Sequence, residues 1–142
     1  MALRLRPLLA EAGFEAFAKT SGGKGLQLLA ALSGTSSDGA SAIARTIAEH
    51  LEREHPAAVV SRMTKSLRPG KVLVDWSQNN AHKTTVAPYS LRARGRPTVS
   101  TPVTWDEVAG CKRPEDLVFT SGDVLDRVAE QGDLLAPLVA EA

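Results

Sequence analysis

The run from residue 38 to residue 54 constrains the fold more than any other stretch of this chain. Its apolar residues Ala40, Ile43, Ala44, Ile47, Ala48 and Leu51 recur at spacings of three and four, which puts them on one face of an α-helix. Arg45, Glu49, Glu52 and Arg53 take the opposite, wet face. Such a stripe has to be buried, so the rest of the chain must supply a layer for it to pack on. Asp38, or Ser37 just before it, is expected to cap the first turn, and Pro56 to end the helix.

The flanking sequence supplies strands. Residues 2–12 read as a short helix stopped by Gly13. A strand is expected over 14–19, a glycine-rich turn over 20–25, and an apolar strand over 26–32. After the long helix, Pro69-Gly70 makes a turn and residues 71–76 the next strand. A polar loop follows over 77–83, then a short strand over 84–87 closed by Pro88, and an exposed stretch over 92–97. Thr104 and Glu107 have capping-box spacing, so a short helix should begin there. A last amphipathic helix is expected over 120–129, with Val124, Leu125 and Val128 inward. Strands interleaved with helices give an α/β or α+β class, a mixed sheet flanked by helices. The length of 142 residues fits one domain, 1–142, without internal repeats.

Some classes fall away. No apolar run approaches the roughly 20 residues that span a bilayer, and no signal-peptide pattern opens the chain, so the cytoplasm is the expected location. The one cysteine, Cys111, excludes an intrachain disulfide and a cysteine-based zinc site, and reads as structural.

Charge is distributed unevenly. Residues 62–96 carry eight basic side chains and one acid, Asp75, although the whole chain is balanced at +1. Arg62, Lys65 and Arg68 would share one face of a helical turn, and Lys83, Arg92, Arg94 and Arg96 follow the strand. A patch of this kind attracts phosphates, to which arginine offers forked donors. Asp75 ends an apolar strand, where an unpaired carboxylate is costly. Metal ligation, an arginine partner, or a place at the exposed edge of the sheet would each settle it.

The turn Ser21-Gly-Gly-Lys-Gly25 is a second candidate. Glycines let backbone amides approach an anion, and Ser21 and Lys24 can reach its oxygens. It matches neither the P-loop nor the dinucleotide fingerprint, and a plain hairpin turn is the alternative. His82 stands beside Lys83 and can touch a phosphate; His50 and His55 flank a helix end. Trp76 and Trp105 read as core or interface residues.

Taken together, Ser21-Gly-Gly-Lys-Gly-Leu26, Val74-Asp-Trp-Ser-Gln-Asn79 and the run from His82 to Arg94 resemble the polymerase domain of bacterial DNA ligase D, in the archaeo-eukaryotic primase superfamily. The stretches 98–108 and onward to Leu138 resemble the end of that domain. The resemblance implies a primase-polymerase-like fold, incomplete here, and a template-dependent nucleotidyltransferase of DNA end joining. Asp75 matches a catalytic metal carboxylate for Mn²⁺ or Mg²⁺. Ser21, Lys24, Gln27, Gln78, Lys83 and Arg92 match contacts to the incoming nucleotide. Arg68 and Arg94 match contacts to DNA. Nucleoside triphosphates, DNA ends, Ku and a ligase domain are the implied partners, and a nucleoid-associated location follows.

Two departures from the family pattern stand out. Its Asp-x-Asp pair is expected just before the first helix, ahead of Met1, so the isolated chain is expected to be inactive. Gln27 stands where the family carries a histidine; glutamine still hydrogen-bonds a phosphate but cannot be cationic. A catalytically inactive DNA- or nucleotide-binding paralogue is the alternative reading. A homodimer or a complementing chain would cover the surfaces that a partial domain exposes.

Overall fold

A computed structural model describes residues 1–93 and 95–140. In chain order its elements are α1 (Ala2–Glu11), β1 (Phe17–Thr20), β2 (Leu26–Leu29), α2 (Ser37–Glu54), β3 (Val59–Val60) and β4 (Val72–Leu73). Then come β5 (Leu91–Arg92), β6 (Thr98–Val99), β7 (Pro102–Val103), α3 (Trp105–Gly110), α4 (Ser121–Gln131) and α5 (Ala136–Ala140). Single 3₁₀ turns lie at Lys65–Leu67, Trp76–Asn79 and Pro114–Leu117. The mixed α/β class read from the sequence is the class observed, with the strands divided among small sheets. The contacts sort the chain into two units, Met1 with Leu32–Thr85, and Ala2–Ala31 with Val86–Ala142.

The first unit is built on α2. Its stripe is the one the sequence predicts: Ala48 and Leu51 are buried, as are Val59 and Val60 of the strand that α2 packs against. The strands β3 and β4 pair in parallel, with Val59 opposite Val72 and Val60 opposite Leu73. Neither Ser37 nor Asp38 caps the helix. The cap is Ser36, whose hydroxyl accepts from Gly39 N at 3.2 Å, because Ser36 is the residue still in extended backbone. The helix ends at His55, directly before Pro56.

The second unit centres on an antiparallel sheet ordered β2-β1-β7. Lys19 faces Gln27 on one side and Pro102 on the other; Ala18 faces Leu28 and Val103. Ala2, Ala18, Val103 and Val108 form the core, with Leu26, Leu28, Trp105, Leu117 and Phe119 packed on it. Helix α1 stops where Gly13 takes a left-handed φ of 87°. Gly13 N donates to Ala10 O at 3.0 Å and Phe14 N to Leu9 O at 2.9 Å, a Schellman closure. Helix α3 carries the capping box expected of Thr104 and Glu107. Glu107 also takes a bidentate pair from Arg127 of α4, whose guanidinium lies 4.7 Å from the Phe119 ring centre.

Besides the helix cap, two further expectations fail. The strand expected over 84–87 does not form. The Val86 carbonyl is taken by the Lys19 ammonium, the chain turns at Tyr89 with a positive φ of 63°, and strand pairing begins only at β5. On α4, Val124 is buried but Leu125 and Val128 are 72% and 41% exposed. The inward side of that helix is shared with the aliphatic stem and guanidinium of Arg127, which a count of apolar residues overlooks. Helix α5 has no counterpart in the sequence reading. Among the described residues no helix is long and apolar enough to cross a membrane.

Candidate nucleotide-binding site

In the unit containing α2, Asp75 stands just past β4 and is exposed. It is the N-cap of the turn Trp76–Asn79. Its Oδ1 accepts from Ser77 N at 3.0 Å and Ser77 Oγ at 2.7 Å, and its Oδ2 from Gln78 Nε2 at 2.9 Å. The sequence left a metal, an arginine or a sheet edge to settle this acid; capping, which it did not consider, holds it in this fold. Partial desolvation pushes the carboxyl upward, but the hydrogen bonds from Gln78 and Ser77, with the charge of Lys83, outweigh it and hold the group below its usual range. Asp75, Gln78 and Lys83 therefore form one group, an ionised carboxylate with an amide and a cation beside it. Trp76 anchors the group by donating from Nε1 to Ser61 O at 2.9 Å, under the Arg45 guanidinium at 5.2 Å.

Arg68 behaves differently. It donates from Nη2 to Met63 O, and its Nε is buried without an acceptor among the described residues. Part of this guanidinium is therefore committed to its own loop. Arg94 lies outside the described residues.

The turn at residues 21–25 belongs to the other unit. Ser21 N donates to Gly25 O at 2.9 Å, and Ser21 Oγ accepts from Gly23 N and Gly25 N, each at 3.2 Å. The hydroxyl spends its lone pairs on the turn and keeps its proton to donate outward. Gly22 is needed twice over. Its φ is +67°, and a Cβ there would lie 2.5 Å from Arg92 Cγ and 3.3 Å from Ser100 N. Arg92 of β5 thus lies across Gly22, and Lys24 stands exposed on the same turn.

Lys19 is the residue that the sequence reading missed. It is 1% exposed, one residue from the turn, with its Nζ donating to Gln27 Oε1, Val86 O and Ser100 Oγ. Desolvation, with Arg92 nearby, lowers its pKa to about 8. A signal existed in the sequence: Lys19 and Gln27 stand equally far from the two ends of the hairpin turn, which makes them cross-strand partners.

The divalent ion that the resemblance implies needs a donor set. Asp75 suits one ligand position, since it is ionised and exposed and its oxygens retain lone pairs. Among the described residues, however, no group of three His, Cys, Asp or Glu could hold a metal. A hard cation takes several oxygen ligands, so these residues alone do not make its site.

Comparisons with known proteins agree on one family. The model for "LigD, primase-polymerase domain" matches residues 1–135. The multifunctional non-homologous end joining protein LigD of Mycolicibacterium smegmatis is 52% identical over 143 residues, covering 100% of this chain and 18% of that protein. The Mycobacterium tuberculosis DNA repair protein LigD is 50% identical over the same span and share. The polymerase domain of Mycobacterium tuberculosis Ligase D, solved in complex with DNA, superposes with a TM-score of 0.92 at 50% identity, over 99% of this chain and 48% of that one. The chain thus spans about a fifth of these LigD proteins and about half of that polymerase domain. With the glycine-rich turn, the Asp75 cap and the intervening basic residues all inside the matched span, the chain belongs to the LigD primase-polymerase domain family.

Proposed function

We propose that this chain forms the nucleotide-holding part of a template-dependent nucleotidyltransferase that extends DNA ends during repair. The observation that carries this reading is the way Arg92 is laid over Gly22, beside a turn whose Ser21 hydroxyl proton and exposed Lys24 ammonium can both donate to an anion. Attack of a 3′-hydroxyl on the α-phosphate of a nucleoside triphosphate shifts negative charge onto the departing pyrophosphate. Fixed cations and amide donors stabilise that charge without having to reorganise. Ser21, Lys24, Gln27 and Arg92 are proposed as contacts to nucleotide phosphates, and Gln78 and Lys83, in the unit built on α2, as nucleotide-binding residues in their own right. Arg68 and Arg94 are proposed for the DNA backbone.

Mn²⁺ or Mg²⁺ is proposed as the cofactor, with Asp75 one of its ligands beside oxygens that the described residues do not supply. When bound, such an ion neutralises phosphate charge and lowers the pKa of the attacking hydroxyl. Ku, a ligase domain, and a second copy or complementing chain are proposed partners, and a cytoplasmic, nucleoid-associated location follows from DNA as substrate.

The test is amide chemical-shift mapping with a non-hydrolysable nucleoside triphosphate. The largest shifts are expected at residues 21–25 and at Arg92. Shifts confined to other residues would refute the assignment.

A further inference from the structure

Lys19 is fully enclosed, and its ammonium faces no acid among the described residues. Its Nζ donates to Gln27 Oε1 at 2.5 Å, to Ser100 Oγ at 2.7 Å and to Val86 O at 2.8 Å. An ammonium has three protons and no lone pair, so every donor is spent and none is left for a ligand. Ser100 Oγ in turn donates to Thr20 O at 2.7 Å, which locks the acceptor side of the network. The group that bears charge against Lys19 is Arg92; β2 offers it a neutral amide, and the loop before β5 a carbonyl.

An ammonium can only donate, and this decides how Gln27 must sit. The carbonyl oxygen of its amide has to face Lys19, so both N–H donors of Nε2 turn away from it. Among the described residues those donors meet no acceptor, and the side chain is only half-buried. The same ammonium holds the Val86 carbonyl, which fixes the start of the loop that ends at Arg92. We propose that Lys19 is a positioning residue: it sets the Gln27 amide with its N–H donors toward the anion on the glycine-rich turn, and fixes the loop that carries Arg92 to the same anion.

This inference rests on the phosphate-binding reading of the turn, and it makes a choice about chemistry at position 27. Any side chain there must offer a lone pair to Lys19 and an N–H outward. An imidazole satisfies that rule as an amide does, with one nitrogen accepting and the other donating. A carboxylate accepts from Lys19 but turns a second negative oxygen toward the anion. An aliphatic side chain does neither.

The test joins two measurements on the 142-residue chain. Side-chain amide NMR is expected to show the Gln27 N–H pair moving with pH at a midpoint near 8, the value to which Lys19 is lowered. Affinity for a non-hydrolysable nucleoside triphosphate is expected to fall on the order of tenfold in Lys19→Met, Gln27→Glu and Gln27→Leu. Gln27→His is expected to recover most of what Gln27→Leu loses. Should Lys19→Met fail to fold, Gln27→Glu carries the test, since it keeps an acceptor for the lysine. A Gln27 amide indifferent to pH, or Gln27→Leu binding as tightly as wild type, would overturn the proposal. If wild type binds no triphosphate while Gln27 still follows Lys19, the phosphate reading falls and the coupling of Lys19 to Gln27 stands.

Discussion

Single residues decide the shape of the anion turn. Gly22 combines a positive φ with an arginine stem and a backbone nitrogen close to where a Cβ would stand. Gly22→Ala is expected to destabilise the chain by about 1–3 kcal/mol in urea unfolding, through left-handed strain and the displaced Arg92. Full stability in that variant would mean that Arg92 does not pack there. Lys19 shows where sequence reading stops. A lysine in a strand normally signals a wet face, and only the register of the hairpin, together with acceptors from residues 86 and 100, reveals that it is sealed. Asp75 was conspicuous in the sequence because of its charge context. Its capping role was not, because a 3₁₀ turn leaves no periodic pattern to read.

At the scale of elements, what could be read depended on local signals. Helix α2 was legible because its stripe has one period over 18 residues. Helix α3 was legible because a capping box is written in two residues only three apart, Thr104 and Glu107. Strands β3 to β7 span two residues each, too few for alternation to show, and their pairing is settled by long-range partners. The link between α3 and α4 is testable. Glu107 closes the α3 cap through Thr104 and pairs with Arg127, whose hydrogen bond is the main force holding its carboxyl below the usual glutamate range. A depressed carboxylate stabilises the fold above its unfolded pKa, and that stability is lost as pH falls through the folded value. Glu107→Gln is expected to cost about 1–3 kcal/mol at neutral pH and to flatten the acid side of the stability profile. An unchanged acid profile in chemical unfolding would show that the pair adds nothing.

For the whole molecule, charge rather than fold gives the clearest functional signal. The basic residues of 62–96 stand against an otherwise acidic chain, and the described members of that run are mostly exposed. DNA affinity is therefore expected to fall steeply with salt, with a shallower slope in Arg68→Ala and Arg94→Ala. Salt-independent binding would point to a contact other than phosphate. The family was legible from motif strings alone, whereas the division into two units was not, since one unit, essentially the continuous segment Leu32–Thr85, separates in sequence the two segments of the other.

The claim on which the rest depends is that Arg92 and the turn beneath it hold a triphosphate. Equilibrium titration of a non-hydrolysable nucleoside triphosphate against wild type and Arg92→Ala measures it directly. The prediction is saturable binding that weakens on the order of tenfold in the variant, the loss expected for one charge-assisted pair. Equal affinity in the two proteins would contradict it.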